Sequence, residues 1–128
     1  KAQEMALEYV PQRETFGAPL SSRQSIQWML VDNEIDIKQS LWITLEAAAK
    51  AERGENFRKE AAMAKLVATE AGGRVVDRCM QMFGGLGVAK DLPFERWFRE
   101  MRIRRIGEGP SEVQRHVIAR ELLGSSLR

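Results

Sequence analysis

Two long stretches of this sequence repeat apolar residues at intervals of three and four, and that spacing restricts the fold more than any other feature. From about residue 22 to 53, Ile26, Leu30, Asn33, Ile37, Leu41 and Thr44 recur on one helical side. Trp28, Met29 and Trp42 widen that apolar surface. From about 56 to 83, Ala62, Leu66, Thr69, Gly73, Val76, Met80 and Phe83 keep a similar period. Such seams line one face of a helix and need a partner helix against them. The small residues Ala71, Gly72 and Gly73 leave room for a close neighbour.

The punctuation between the seams predicts shorter elements. Residues 1–12 read as a helix end with Met5, Tyr9 and Ala2 on one face, stopped at Pro11. Gly17 and Pro19 mark residues 13–21 as a connector, after which Ser21 or Ser22 can cap the next helix. Gly54 suits a C-terminal turn, and Asn56 can cap the second long helix. Residues 84–92 read as a glycine-rich loop. Pro93 opens a short helix through about 103, and 106–110 breaks the pattern. Ser111 can cap a last helix that ends at Gly124. No strand, internal repeat or low-complexity segment is expected. The predicted class is all-α, an antiparallel helical bundle.

Composition narrows the chemistry. The 128 residues support one domain, and 44% hydrophobic content is too high for a disordered tail. The lone Cys79 cannot form an internal disulfide, which points to a reducing, intracellular setting. With only His116 beside it, no zinc site of nitrogen and sulfur ligands is available, so no metal is expected. No uncharged stretch reaches membrane-spanning length. The chain starts at Lys1 within a helical pattern, without an initiator Met, and is expected to be a fragment of a longer protein.

The net charge of +2 is unevenly placed. Arg96, Arg99, Arg102, Arg104 and Arg105 crowd one short predicted helix. A basic helix can bind nucleic acid, but no nucleic-acid motif accompanies this one. Ion pairs with Glu95, Glu100 and neighbouring elements are the favoured reading. No nucleic-acid partner is expected.

Three polar or glycine-rich islands interrupt the helices, at 13–24, 81–87 and 107–115. Gly84, Gly85 and Gly87 either make a tight turn or let backbone N–H groups approach a pyrophosphate. Glu108 stands between Gly107 and Gly109 and before Pro110. It is either a loop acid near a helix N-terminus or a general base whose pKa is raised by apolar surroundings.

Taken together and in order, the islands resemble the C-terminal domain of the acyl-CoA dehydrogenase family. The matching pieces are R-E-T-F-G (Arg13–Gly17), Gln24, Q-M-F-G-G-L-G (Gln81–Gly87), L-P-F-E-R (Leu92–Arg96), G-E-G-P-S-E-V-Q-R (Gly107–Arg115) and I-A-R-E (Ile118–Glu121). The resemblance covers nearly the whole chain. It implies that residues 1–128 are a helical-bundle domain preceded by an N-terminal helical domain and a middle β domain, neither present here. It implies FAD as cofactor, bound between the middle domain and this bundle, with its ADP end reaching a neighbouring subunit. Arg13, Thr15 and Phe16 would then meet the flavin or its pyrophosphate, with Gln24 along the same surface. Gln81, Gly84 and Gly85 would belong to the loop holding the ADP portion. Gly109, Ser111 and Glu112 would approach the flavin of their own active site.

The resemblance further implies α,β-dehydrogenation of an acyl-CoA thioester to a 2-enoyl-CoA, as in fatty acid β-oxidation. Glu108 would abstract the α proton, and its backbone N–H would bind the thioester carbonyl. Implied partners are an electron-transfer flavoprotein and further copies of the chain, as a homodimer or homotetramer. The implied compartment is cytoplasmic in a bacterium, mitochondrial or peroxisomal in a eukaryote. Pro110 stands where many members carry Thr, Glu112 where many carry Gln, and Leu86 where a polar residue is common. These departures, with the missing domains, keep a second expectation open: a catalytically inactive helical interaction module of the same fold.

Overall fold

The long apolar seams become the two long helices of the structure, a computed structural model that describes residues 1–126. Helix α1 spans Ala2–Tyr9, α2 Gln24–Glu52, α3 Arg58–Phe83, α4 Gly85–Val88, α5 Phe94–Arg104 and α6 Ser111–Leu123. Contacts between α2 and α3 pair Asn33 with Cys79, Asp36 with Arg78 and Lys50 with Glu60. Sequence numbers rise on one helix as they fall on the other, so the pair is antiparallel. Helices α1, α5 and α6 all pack on α3, which makes it the central element. The fold class is the expected antiparallel helical bundle.

Close approach explains the small residues of α3. A Cβ added to Gly72 would lie 2.8 Å from the Met101 sulfur of α5. The core is capped by an aromatic run. Tyr9 stacks on Phe83 at 4.1 Å, Phe83 meets Phe94 at 4.6 Å, and Trp97 sets its ring edge-on to Phe94 at 5.6 Å. Such contacts add about 1 kcal/mol each beyond area burial. They tie the ends of α1 and α3 to the start of α5.

The α2–α3 interface is partly polar. Asn33 is fully buried and donates to Gln3 Oε1 at 2.9 Å, while Gln3 donates to the Leu30 carbonyl at 3.0 Å. Arg74 and Arg78 both donate to the Asp36 carboxylate, at 2.5 and 2.7 Å. These guanidiniums, Arg74 foremost, hold the Asp36 carboxyl below its ordinary range. Burial pushes the Cys79 thiol up to about 11, so it remains protonated and packs as a small apolar group.

Several expectations need correction. Residues Glu14–Thr15 and Ala18–Pro19 form a two-residue antiparallel ladder, where no strand was expected. It is too short to leave an alternating pattern. Neither Ser21 nor Ser22 caps α2; Arg23 is the cap residue, and the Ser22 hydroxyl donates to the Pro19 carbonyl at 2.7 Å. Asn56 does accept the Arg58 N–H at 3.2 Å, though Phe57 is the residue before the helix. Residues 85–88 form a helical turn inside the expected glycine loop. On α2, Ile37, Leu41 and Thr44 are exposed, and the buried row passes through Asp36 and Ala47 instead. Three of the five clustered arginines pair: Arg96 with Glu100 and Arg99 with Glu95 on α5, and Arg105, just past its end, with Glu70 of α3, while Arg102 and Arg104 form no ion pair among the described residues. Among the described residues, no helix is long and apolar enough to cross a membrane.

Candidate functional site

The end of α1, the start of α2 and the end of α3 enclose a cleft of about 360 Å³. Arg13 and Thr15 line it from one side, and Gln81, Gly84 and Gly85 from the other. Two of the three sequence islands therefore share one site. Tyr9, Ser25, Ile26, Met29 and Phe83 complete much of its wall. The lining holds one cation, Arg13, and no carboxylate. Arg13 forms no ion pair among the described residues.

Backbone geometry shapes this cleft. Gly84 ends α3 at φ 60°, a left-handed conformation that disfavours any side chain. Side chains added at Gly84 or Gly85 would meet nothing within 4 Å, so both glycines keep open space beside the cleft. Gly87 differs: its added Cβ would lie 2.7 Å from the Met80 carbonyl, so it serves packing. Directly after the lining residue Thr15, Phe16 sits at φ 51° and is 99% exposed. Arg23 braces that turn by donating to the Thr15 carbonyl at 2.7 Å. Gln24 is exposed on the first turn of α2 and does not line the cleft.

The third island folds as a separate loop between α5 and α6. Glu108 has φ 55° and Gly109 φ 91°. Phe16 and Glu108 are the two non-glycine residues with positive φ among the described residues. A left-handed conformation costs a residue with a side chain roughly 1–2 kcal/mol, and surrounding structure must hold it there. At Glu108 the holding groups are visible. Lys65 of α3 donates to the Gly109 carbonyl at 2.6 Å, and Gln114 of α6 donates to the same oxygen at 3.1 Å. The Ser111 hydroxyl donates to Glu70 at 2.7 Å and pins the start of α6 to α3. Ser111 and then Arg105 hold the Glu70 carboxyl below its ordinary range.

That geometry corrects two expectations. Ser111 is the first residue of α6, not its cap, and its buried hydroxyl is committed to Glu70. Glu108 is exposed, without the apolar enclosure that the general-base reading anticipated. Its carboxylate has no hydrogen-bond partner among the described residues, and its N–H finds no backbone carbonyl. Glu112 is exposed on the first turn of α6. Sequence spacing identified neither Lys65 nor Tyr9 as a site residue, because each reaches its place through tertiary packing.

The family model for the acyl-CoA dehydrogenase C-terminal domain matches residues 1–123. The chain belongs to the acyl-CoA dehydrogenase family. Among curated relatives, the mitochondrial short-chain specific acyl-CoA dehydrogenase of Bos taurus is 43% identical over 97% of this chain and 30% of its own length. Butyryl-CoA dehydrogenase of Megasphaera elsdenii superposes with a TM-score of 0.92 at 38% identity, covering 95% of this chain and 32% of that one. An FAD complex of PigA gives a TM-score of 0.91 at 28% identity over 94% of this chain and 32% of its own. This acyl-CoA dehydrogenase domain thus spans about a third of the length of the proteins it matches.

The dehydrogenase family's flavin can be tested against the residues present. A dinucleotide needs a cation for its pyrophosphate, open backbone and apolar or aromatic surface for its rings. The cleft has Arg13, Gly84, Gly85, Tyr9 and Phe83, while Phe16, next in the chain to the lining residue Thr15, is not among its walls. No acid among the lining residues opposes the phosphates. These residues fit FAD.

Proposed function

We propose that this chain is the C-terminal helical domain of an FAD-dependent acyl-CoA dehydrogenase, acting together with an N-terminal and a middle domain. The observation that carries the reading is the Glu108 loop. An exposed, unpaired carboxylate held at positive φ by donors from two helices adds strain without any visible gain to this fold. Strain of that kind concentrates where a side chain is aimed for function.

In this reading the Glu108 carboxylate takes the α proton of the acyl-CoA thioester, and the Glu108 N–H binds the thioester carbonyl as negative charge develops there. Bound FAD supplies the hydride acceptor for the β hydrogen. Arg13, Thr15, Gln81, Gly84 and Gly85 hold the nucleotide portion, with Phe16 beside Thr15 in the chain, and Gln24 has no part in that cleft. Gly109 and Glu112 approach the flavin that Glu108 serves. Ser111 supports that loop through Glu70 rather than by direct contact.

The cleft and the Glu108 loop share no lining residue. That separation is expected if one copy's cleft completes the cofactor site of another, so the working enzyme is a dimer or tetramer. An electron-transfer flavoprotein is the proposed electron acceptor. The compartment is intracellular, in keeping with a curated relative named as mitochondrial. The isolated chain, lacking half of the flavin cleft, is expected not to turn over acyl-CoA.

Glu108→Gln in the full-length protein tests the base. Acyl-CoA-dependent activity should fall by roughly 10²–10⁴-fold while FAD stays bound. Full activity in that variant would overturn the assignment of Glu108.

A further inference from the structure

We infer that Lys65 is a positioning residue for the proposed base, holding the Glu108 loop in its productive conformation. The inference rests on the reading of Glu108 as the proton-abstracting group.

Lys65 lies in the N-terminal third of α3, 44 residues from the loop it contacts. Its ammonium is partly buried, and it forms no ion pair among the described residues. A long cation taken out of water usually finds a carboxylate. Here it donates to a neutral carbonyl, Gly109 O, at 2.6 Å. Gln114 occupies the second acceptor direction of that oxygen at 3.1 Å and reaches the Glu108 carbonyl at 3.4 Å. The carbonyl is therefore clamped from the central helix and from α6 at once. A charge-assisted donor makes the stronger arm of that clamp.

The place of the clamp gives it meaning. Gly109 O belongs to the residue directly after Glu108, within a segment where residues 108 and 109 both have positive φ. Releasing that carbonyl lets Glu108 relax toward the ordinary negative-φ region. Its carboxylate and its N–H would then turn away from the geometry that a bound thioester requires. Misplacement of a reacting group by about 1 Å can cost on the order of 10²-fold in rate. Lys65 touches neither substrate nor cofactor in this account; it acts through the loop.

The test uses the full-length, FAD-loaded protein with butyryl-CoA and its α-deuterated form as probes. Lys65→Met keeps the length of the side chain and removes the donor. Its kcat should fall about tenfold or more, with KM and FAD content within about twofold of wild type. The α-deuterium isotope effect on kcat should rise as proton abstraction becomes rate-limiting. Lys65→Arg, which restores a cationic donor, should recover most of the rate. An unchanged kcat and isotope effect in Lys65→Met would overturn the inference. So would a loss that follows only melting temperature or FAD content.

If Lys65→Met does not fold, Gln114→Leu removes the other arm of the clamp. A smaller fall in kcat with the same rise in isotope effect supports the inference, and its absence defeats it. Glu108→Gln separates the two levels of the argument. Retained activity there removes the base itself, whereas an inactive Glu108→Gln beside a normal Lys65→Met removes only the role of Lys65.

Discussion

Helices α2 and α3 have similar lengths and similar apolar spacing, yet the structure uses them differently. Helix α3 is covered by α1, α2, α5 and α6, and its buried residues run from Glu60 to Phe83. Helix α2 meets α3 on one side only. Its far side carries Trp28, Val31, Ile35, Trp42 and Leu45, with Trp42 67% exposed. Those positions recur at three and four on either side of a gap from Ile35 to Trp42, where Lys38 and Gln39 interrupt the row. An exposed apolar row of this kind marks a surface for another molecule. The same residue pattern thus builds a core in α3 and, in α2, both a core face and a surface suited to self-association. That surplus accords with the proposed dimer or tetramer.

The comparison can be broken at the buried face first. Asp36 is the acid that two α3 guanidiniums share. Asp36→Ala leaves Arg74 without its carboxylate partner and Arg78 with only Asp32, at 3.9 Å. Removing one partner of a fully buried pair costs roughly 3–5 kcal/mol, and the half-exposed Arg74 with the remaining Asp32 lowers the expected loss to about 1–2. Urea unfolding should show that loss. A change under about 0.5 kcal/mol would mean that the polar part of the α2–α3 interface contributes little.

Acid should act on the same interface more gradually. The Lys50 ammonium, hydrogen-bonded to it, holds the Glu60 carboxyl down to about 2 from an ordinary 4.5. Asp36 and Glu70 are lowered as well. A carboxyl whose folded pKa is depressed stabilises the fold above its unfolded pKa, and that contribution is lost as pH falls through the folded value. The melting temperature should therefore drop between pH 4.5 and about 2. A flat profile across that window would contradict the ion-pair assignments. The exposed face should respond in the opposite manner. Trp42→Gln should weaken self-association measured by sedimentation, while unfolding of the monomer changes by less than about 0.5 kcal/mol. Unaltered association would show that the stripe serves another purpose.

Much of this fold was legible because helical spacing and helix stops are local. Gly54 and Gly124 both adopt the positive φ expected of helix ends, and Asn33 lies on the buried seam. Ile37 and Thr44 share the helical side of the buried Ile26, yet they and Leu41 are exposed. Spacing marks a face of α2 without saying how far along it other helices reach. The cleft was legible in part. Arg13, Thr15, Gln81, Gly84 and Gly85 do converge, through a resemblance that bridges islands far apart in sequence. Ser111 was read as a local cap, yet its hydroxyl answers to Glu70 across 41 residues. Lys65 was invisible for the same reason, since nothing near it in sequence announces a loop 44 residues away.

The proposed role of the chain is tested most directly by flavin absorbance in the purified full-length protein, recorded without oxygen before and after acyl-CoA is added. The account predicts a yellow protein whose flavin band bleaches on addition of the thioester, and a Glu108→Gln variant that stays yellow. A colourless protein that also fails to take up added FAD would contradict it and leave the helical interaction module as the better description.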